Sequence, residues 1–291
     1  MVLRLDPALP LVWRTPDSLQ LGVDAPVVVL EQVTAADERM LTALQAGIAD
    51  AALPAVGELC GLRPPETTAL VAALSPALAR PSPPTPPLAL LGVGPTAAAL
   101  ASAAGAAGAT VVRPQRLADL DADVGLVVVV AGYVVDAFVR AALVRRDIRV
   151  LPVVLGDSTA RVGPLLTAGR GPCLYCIELH RRDEDPAWPA IAGQLQGRPP
   201  SAETPVVALE VAGLAARLAL DAVRDPRFTL PAAVVLDVAT GALSSRDWPP
   251  HPECACRALP LEPARPGTGS APAAGAGRDA TTTGAVVSVL G

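Results

Sequence analysis

The chain of 291 residues contains no lysine: all 23 of its basic residues are arginine. That absence removes a lysine nucleophile, a Schiff-base amine and the lysine that clamps phosphates in a P-loop. Aromatic residues are scarce as well, at 2%, so a core must be built from the alanine, valine and leucine that supply most of the 51% hydrophobic content. Long apolar runs are missing too. Stretches such as Leu126–Ala131 fall far short of the roughly 20 residues needed to cross a bilayer. The N-terminus shows no basic segment followed by an apolar run and a small-residue cleavage site, so a reducing, cytoplasmic setting is expected. A net charge of −5 gives no bulk attraction for nucleic acid or an anionic membrane.

Cysteine is also rare, yet four of the five cysteines form two close pairs, Cys173-x-x-Cys176 and Cys254-x-Cys256. A tight turn can supply two thiolates of a tetrahedral zinc site, and a distant second pair can close the sphere. Gly171-Pro172 before the first pair and Pro252 before the second are suitable turn residues. Four thiolates leave no open position, so such a zinc would clip two segments together and not catalyse. Two disulfides, a redox pair at Cys173 and Cys176, and thiols that merely pack are the alternatives. Cys60, alone between Leu59 and Gly61, reads as a buried small side chain.

Residues 1–80 read as one unit. Leu11–Arg14 and Ser18–Gly22 suggest a hairpin about Thr15-Pro16-Asp17, with Val27–Leu30 as a third strand. Thr34 as N-cap, Asp37 three residues on, and Leu41, Leu44 and Ile48 at helical spacing predict a helix. Further helices are expected at Leu53–Cys60, stopped by Gly61, and at Glu66–Leu74. Three strands and three helices in this order predict a small winged helix-turn-helix. Its five arginines face nine acids, a net −4, which opposes the phosphate neutralisation that dominates DNA affinity. A peptide added as a further strand suits it better. The groove is assigned to Val27, Val28, Val29 and Leu30 of the third strand with Thr67, Leu70, Val71 and Leu74 of the third helix. The bland alternative is a unit that merely packs on its neighbour.

Residues 81–87, Pro-Ser-Pro-Pro-Thr-Pro-Pro, predict an extended linker. From Leu88 the chain alternates as α/β: strands at Leu88–Leu91, Thr110–Arg113, Leu126–Ala131 and Arg149–Leu155, and helices at Pro95–Gly108, Val134–Arg146 and Glu203–Val223. These strands are apolar without alternation, so both sheet faces should be covered. The expected class is α/β, a Rossmann-like domain over residues 88–260, closed by a hairpin at Ala232–Val238 and Leu243–Arg246. Gly92 and Gly94 open the first βα turn, the place of a phosphate loop. The third glycine of a dinucleotide site is replaced by Ala97, and Arg113 falls near the position of the ribose-binding acid. No serine elbow accompanies them, and neither His180 nor His251 has a cysteine or serine placed to form a catalytic pair. His251 reads as a turn residue or a donor to a thiolate.

The run His180-Arg181-Arg182-Asp183-Glu184 reads as a solvated loop, or as a surface for a partner anchored by Trp188. Asp185 and Pro186 are the expected start of a helix reaching Leu195. Residues 261–291 predict a disordered tail, in which Ala285–Leu290 could pair transiently with a sheet edge.

The order of winged unit, proline linker, Gly-x-Gly turn, the run from Gly171 through Cys173, Cys176, His180, Arg181, Asp183, Asp185 and Pro186 to Trp188, and finally His251-Pro252-x-Cys254-x-Cys256 resembles a known family. It looks like the ThiF-like, ubiquitin-activating-like proteins of actinobacterial azole-peptide biosynthesis, known as bacteriocin cyclodehydratase components or precursor leader-peptide-binding proteins. The resemblance spans roughly residues 1–260. It implies a leader peptide of a ribosomal precursor bound as an added strand, a YcaO-type cyclodehydratase as partner, a structural zinc on the four cysteines, and compatibility with a homodimer. Related activating enzymes adenylate a carboxylate with ATP. Ala97, Arg113, and Ala131-Gly132-Tyr133 in place of a metal-binding acid argue against that activity, leaving a degenerate pseudo-enzyme scaffold as the expectation. An ATP-dependent adenylyltransferase acting on a peptide or carrier-protein carboxylate is the alternative.

Overall fold

A computed structural model describes residues 2–79, 85–256 and 287–288. The chain divides into two compact units: the first holds the residues up to 79 together with Val287–Ser288, and the second holds residues 85–256. Most of the proline linker and all but two residues of the tail lie outside the described residues.

The first unit runs β1 (Val2–Leu3), β2 (Leu11–Thr15), β3 (Ser18–Leu21), β4 (Val28–Leu30), α1 (Ala35–Ala46), β5 (Ile48–Ala49), α2 (Leu53–Cys60) and α3 (Pro64–Leu74). Thr34 caps α1 reciprocally: its hydroxyl accepts from Asp37 N at 3.3 Å, and Asp37 Oδ2 accepts from Thr34 N at 2.9 Å. The shorter acid thus serves where a glutamate is usual. Gly61 ends α2 in the left-handed region, at φ 87°. α3 begins two residues earlier than the sequence suggested, because Pro64 and Pro65 occupy the first turn, where a missing N–H costs nothing. Met40, Leu44, Leu74, Leu19, Leu21 and Leu30 form the buried centre. β2, β3 and β4 are antiparallel neighbours, and Val287–Ser288 adds an antiparallel strand on the outer side of β4.

The second unit contains β6 (Leu88–Leu91), α4 (Pro95–Ala106), β7 (Val111–Val112), β8 (Leu126–Gly132), α5 (Ala137–Val144), β9 (Val150–Leu155), β10 (Thr159–Val162), α6 (Leu174–Glu184), α7 (Trp188–Leu195), α8 (Pro205–Arg224), β11 (Ala232–Asp237) and β12 (Leu243–Asp247). Its seven strands lie in the order β12-β11-β10-β9-β8-β6-β7, parallel from β9 through β7 and antiparallel from β9 through β12. Alternate residues of the parallel strands feed two cores. Leu88, Leu90, Val128 and Val153 face α4 and α8, while Ala89, Val127, Val129 and Val150 face the other layer. This explains the unbroken apolar runs, since a parallel strand buried on both faces cannot alternate.

Four elements of the second unit depart from the expectations. α5 is shorter than Val134–Arg146, because Asp136 starts it: its Oδ1 accepts from Phe138 N and Val139 N at 2.8 and 3.1 Å. β10, between β9 and β11, was not foreseen; four residues, two of them polar, carry too little pattern. The charged run after Cys176 is not a loop but the body of α6, seated by buried Leu174, Cys176 and Leu179. Asp185 therefore closes α6, and α7 begins at Trp188 instead of Pro186. Among the described residues no helix is long and apolar enough to cross a membrane.

Candidate functional site

Cys173 is the N-cap residue of α6 and Cys176 lies in its first turn, fully buried. Cys254 and Cys256 follow β12 on a turn in which Cys254 N donates to His251 O at 2.9 Å. The start of α6 and the end of the unit thus converge: all four sulfurs lie within 4.8 Å of one another and could hold a metal ion. The close separations are 3.8 Å for Cys173–Cys176 and 3.6 Å for both Cys173–Cys254 and Cys176–Cys256. A tetrahedron of thiolates about 2.3 Å from a central zinc has edges of about 3.8 Å. The separations fit that figure and exceed the ~2.05 Å of a disulfide; all four cysteines are free thiols.

The thiols of the cluster act on one another. A hydrogen bond from Cys173 holds Cys176 down to about 4, while the same bond and burial push Cys173 up. Burial pushes Cys254 up to about 11. Four packed thiols cannot all ionise together without a positive charge among them.

The surrounding charges clip α6 to the segment after β12. Buried His251 meets Asp183 through Nε2–Oδ2 at 2.8 Å, and with Arg182 it holds that carboxyl below its usual range. Arg182 reaches Glu253 at 2.9 Å, Glu184 pairs with Arg246, and the His180 ring contacts Pro249 O at 2.9 Å. The guanidinium of Arg246 lies over Trp248, 4.2 Å from the ring centroid. His251 is therefore not a ring donor to a thiolate, since its ring serves Asp183 and only its backbone reaches Cys176. Arg182, Asp183 and Glu184 thus have ionic partners within the unit while remaining partly exposed. Arg181, drawn down to about 10 by burial, stacks 3.3 Å over Trp188 and donates to Tyr133 O at 3.0 Å, and Trp188 Nε1 donates to Glu178 Oε2 at 2.7 Å.

The Gly92-x-Gly94 turn does precede a helix N-terminus, the arrangement that elsewhere receives phosphate. Here the place is filled from within. Glu203 Oε1 accepts from Thr96 N at 2.9 Å, and its carboxylate lies 3.1 to 3.3 Å from where a Cβ on Gly94 would stand. Pro95, at the first turn of α4, offers no N–H. Gly92 is explained by packing, because a Cβ there would come within 2.3 Å of Val130 O. Arg113 NH2 donates to Gly92 O at 3.3 Å. Thr96 Oγ1 is buried without a hydrogen-bond partner among the described residues, which leaves a cost that a methyl would not carry. Thr96→Val is expected to stabilise the protein by about 1 kcal/mol in chemical denaturation.

In the first unit, Val28, Leu30, Leu70 and Leu74 belong to the core and Thr67 is buried beneath Gly57, while Val27 and Val71 are half-buried. A peptide at β4 would therefore be held through backbone groups, with these inward side chains as support rather than as contact residues.

No family model matches the sequence, and no curated protein matches it. Solved structures do. The heterocyclase TruD aligns at TM-score 0.59 and 19% identity over 88% of this chain. The E. coli protein MccB solved with ATP aligns at 0.55 and 11%, and a chain of the E. coli microcin synthetase McbBCD complex with pro-MccB17 bound aligns at 0.54 and 12%, each over 88% of this chain and 99% of the other. The chain shares the fold of these heterocyclase and synthetase proteins. It spans 42% of the length of TruD.

Proposed function

We propose that the chain is a non-adenylating, leader-peptide-binding scaffold of azol(in)e peptide biosynthesis. In this reading the first unit is a winged helix-turn-helix that takes the leader of a ribosomal precursor as an added strand beside β4, and a YcaO-type cyclodehydratase acts on the presented peptide. The second unit is a ThiF-like Rossmann domain kept as a frame. Cys173, Cys176, Cys254 and Cys256 would hold zinc. With every coordination position taken by sulfur, the metal would supply cross-linking and no Lewis-acid chemistry.

The observation that carries this reading is Glu203. The chain shares its fold with MccB, a protein solved with ATP, and has a Gly-x-Gly turn before a helix, yet that helix N-terminus is already neutralised by a carboxylate of the same chain. An incoming phosphate would meet a negative charge and the missing N–H of Pro95. The likeness to TruD and to a chain of the complex with pro-MccB17 bound supports the placement in peptide heterocyclisation.

The test is calorimetric titration with Mg-ATP, with zinc measured on the same sample, followed by pyrophosphate exchange in the presence of candidate peptide carboxylates. The expected result is one zinc per chain, no ATP binding and no exchange above background. Exchange stimulated by a peptide would overturn the scaffold reading in favour of an adenylyltransferase.

A further inference from the structure

The outer edge of β4, the place assigned above to a bound peptide, carries a strand of the chain itself. Val287 lies opposite Leu30 and Ser288 opposite Val29, in antiparallel register, while the other side of β4 is paired with β3. The sequence singles this segment out. From Glu262 to Gly284 there is no valine, isoleucine, leucine, methionine or aromatic residue, whereas Val286, Val287, Val289 and Leu290 follow within five positions. Such clustering of β-branched residues after a long stretch without any marks a strand former. Val29 alternates with the core residues Val28 and Leu30, yet it too is buried, at 3% exposure. The outer edge of β4 is thus a place where backbone groups find an extended partner, and the partner in this structure is Val287–Ser288.

We infer that the strand Val287–Ser288 is a built-in occupant of the peptide edge, which an incoming strand reaches only by displacing it. This rests on the reading of β4 as the peptide site, and it deepens that reading in two ways. First, it defines the ligand class: an extended segment, added antiparallel and recognised mainly through main-chain hydrogen bonds. Secondly, it sets a threshold. A tethered competitor acts at an effective concentration of order 1 mM, so a segment that binds with an intrinsic Kd of ~0.1 mM weakens a competing peptide roughly tenfold. Weak precursors are rejected without any new contact.

The test uses full-length chains throughout. In the double variant V287P/S288P both strand N–H donors are removed, so the ladder to β4 is lost whichever of them is paired. Hydrogen exchange of the amides of Val28–Leu30 is expected to accelerate in the variant, with the amides of Ser18–Leu21 unchanged. A labelled synthetic peptide of residues 283–291 is then expected to bind the variant at least tenfold more tightly than the unaltered chain, by fluorescence anisotropy. Equal exchange in both proteins, or peptide binding that the substitutions do not improve, would overturn the inference. Neither readout involves a precursor leader, so this failure is separate from failure of the leader-binding reading, which a precursor that does not bind even the double variant would reveal.

Discussion

Cys176→Ser is expected to lose stoichiometric zinc and to lower the melting temperature of the second unit by roughly 10–20 °C, a loss of about 5 kcal/mol at 2–4 °C per kcal/mol. The size of the effect follows from position. Cys176 is fully buried, and its sulfur lies 3.8 and 3.6 Å from those of Cys173 and Cys256. A serine there would retract one corner of the tetrahedron while three thiols remained crowded. The metal would also no longer tie α6 to the segment after β12, two pieces about 80 residues apart in sequence. Cys60→Ser is the control: Cys60 sits in the core of the first unit and, among the described residues, belongs to no cluster of metal-ligating residues, so zinc content should stay at one per chain. Metal analysis with differential scanning calorimetry on both variants checks the contrast.

Leu74→Ala should cost the first unit about 2–5 kcal/mol, the usual range for a leucine truncated where its surroundings relax only partly. Leu74 has no exposed surface and lies in the core that also receives Leu19, Leu30 and Leu44. A unit of about 80 residues has only a modest reserve of stability, so much of it would unfold near body temperature. Peptide binding at β4 should fall with it while zinc content is unchanged. Retained binding by such a variant would remove the first unit from the peptide site.

What could be read in the sequence and what could not separates along the distance between interacting residues. The cysteine pairs were visible because each supplies its two ligands locally, and Thr34 with Asp37 was visible for the same reason. The parallel strands announced themselves through runs such as Leu126–Val130, all buried. The pattern of α6 suggests a solvated loop because Arg182, Asp183 and Glu184 find their partners far along the chain, in residues 246–253. Of the α3 positions named for a peptide groove, Thr67, Leu70 and Leu74 lie on its buried face and Val71 is half-buried; spacing alone does not say which face a ligand uses. Glu203 was beyond reach. It lies 107 residues from Thr96, and nothing in the local pattern before α8 points back to the first βα turn.

That same carboxylate makes the first βα turn a joint. An anion that diffuses to a helix N-terminus comes and goes; here the anion is covalently part of the chain and braces α4 against the segment leading into α8. A nucleotide could enter only after the brace let go, so the energy that holds the two segments together would count against its binding. Occupancy of the turn and stability of the unit are thus set by one contact between residues 107 apart.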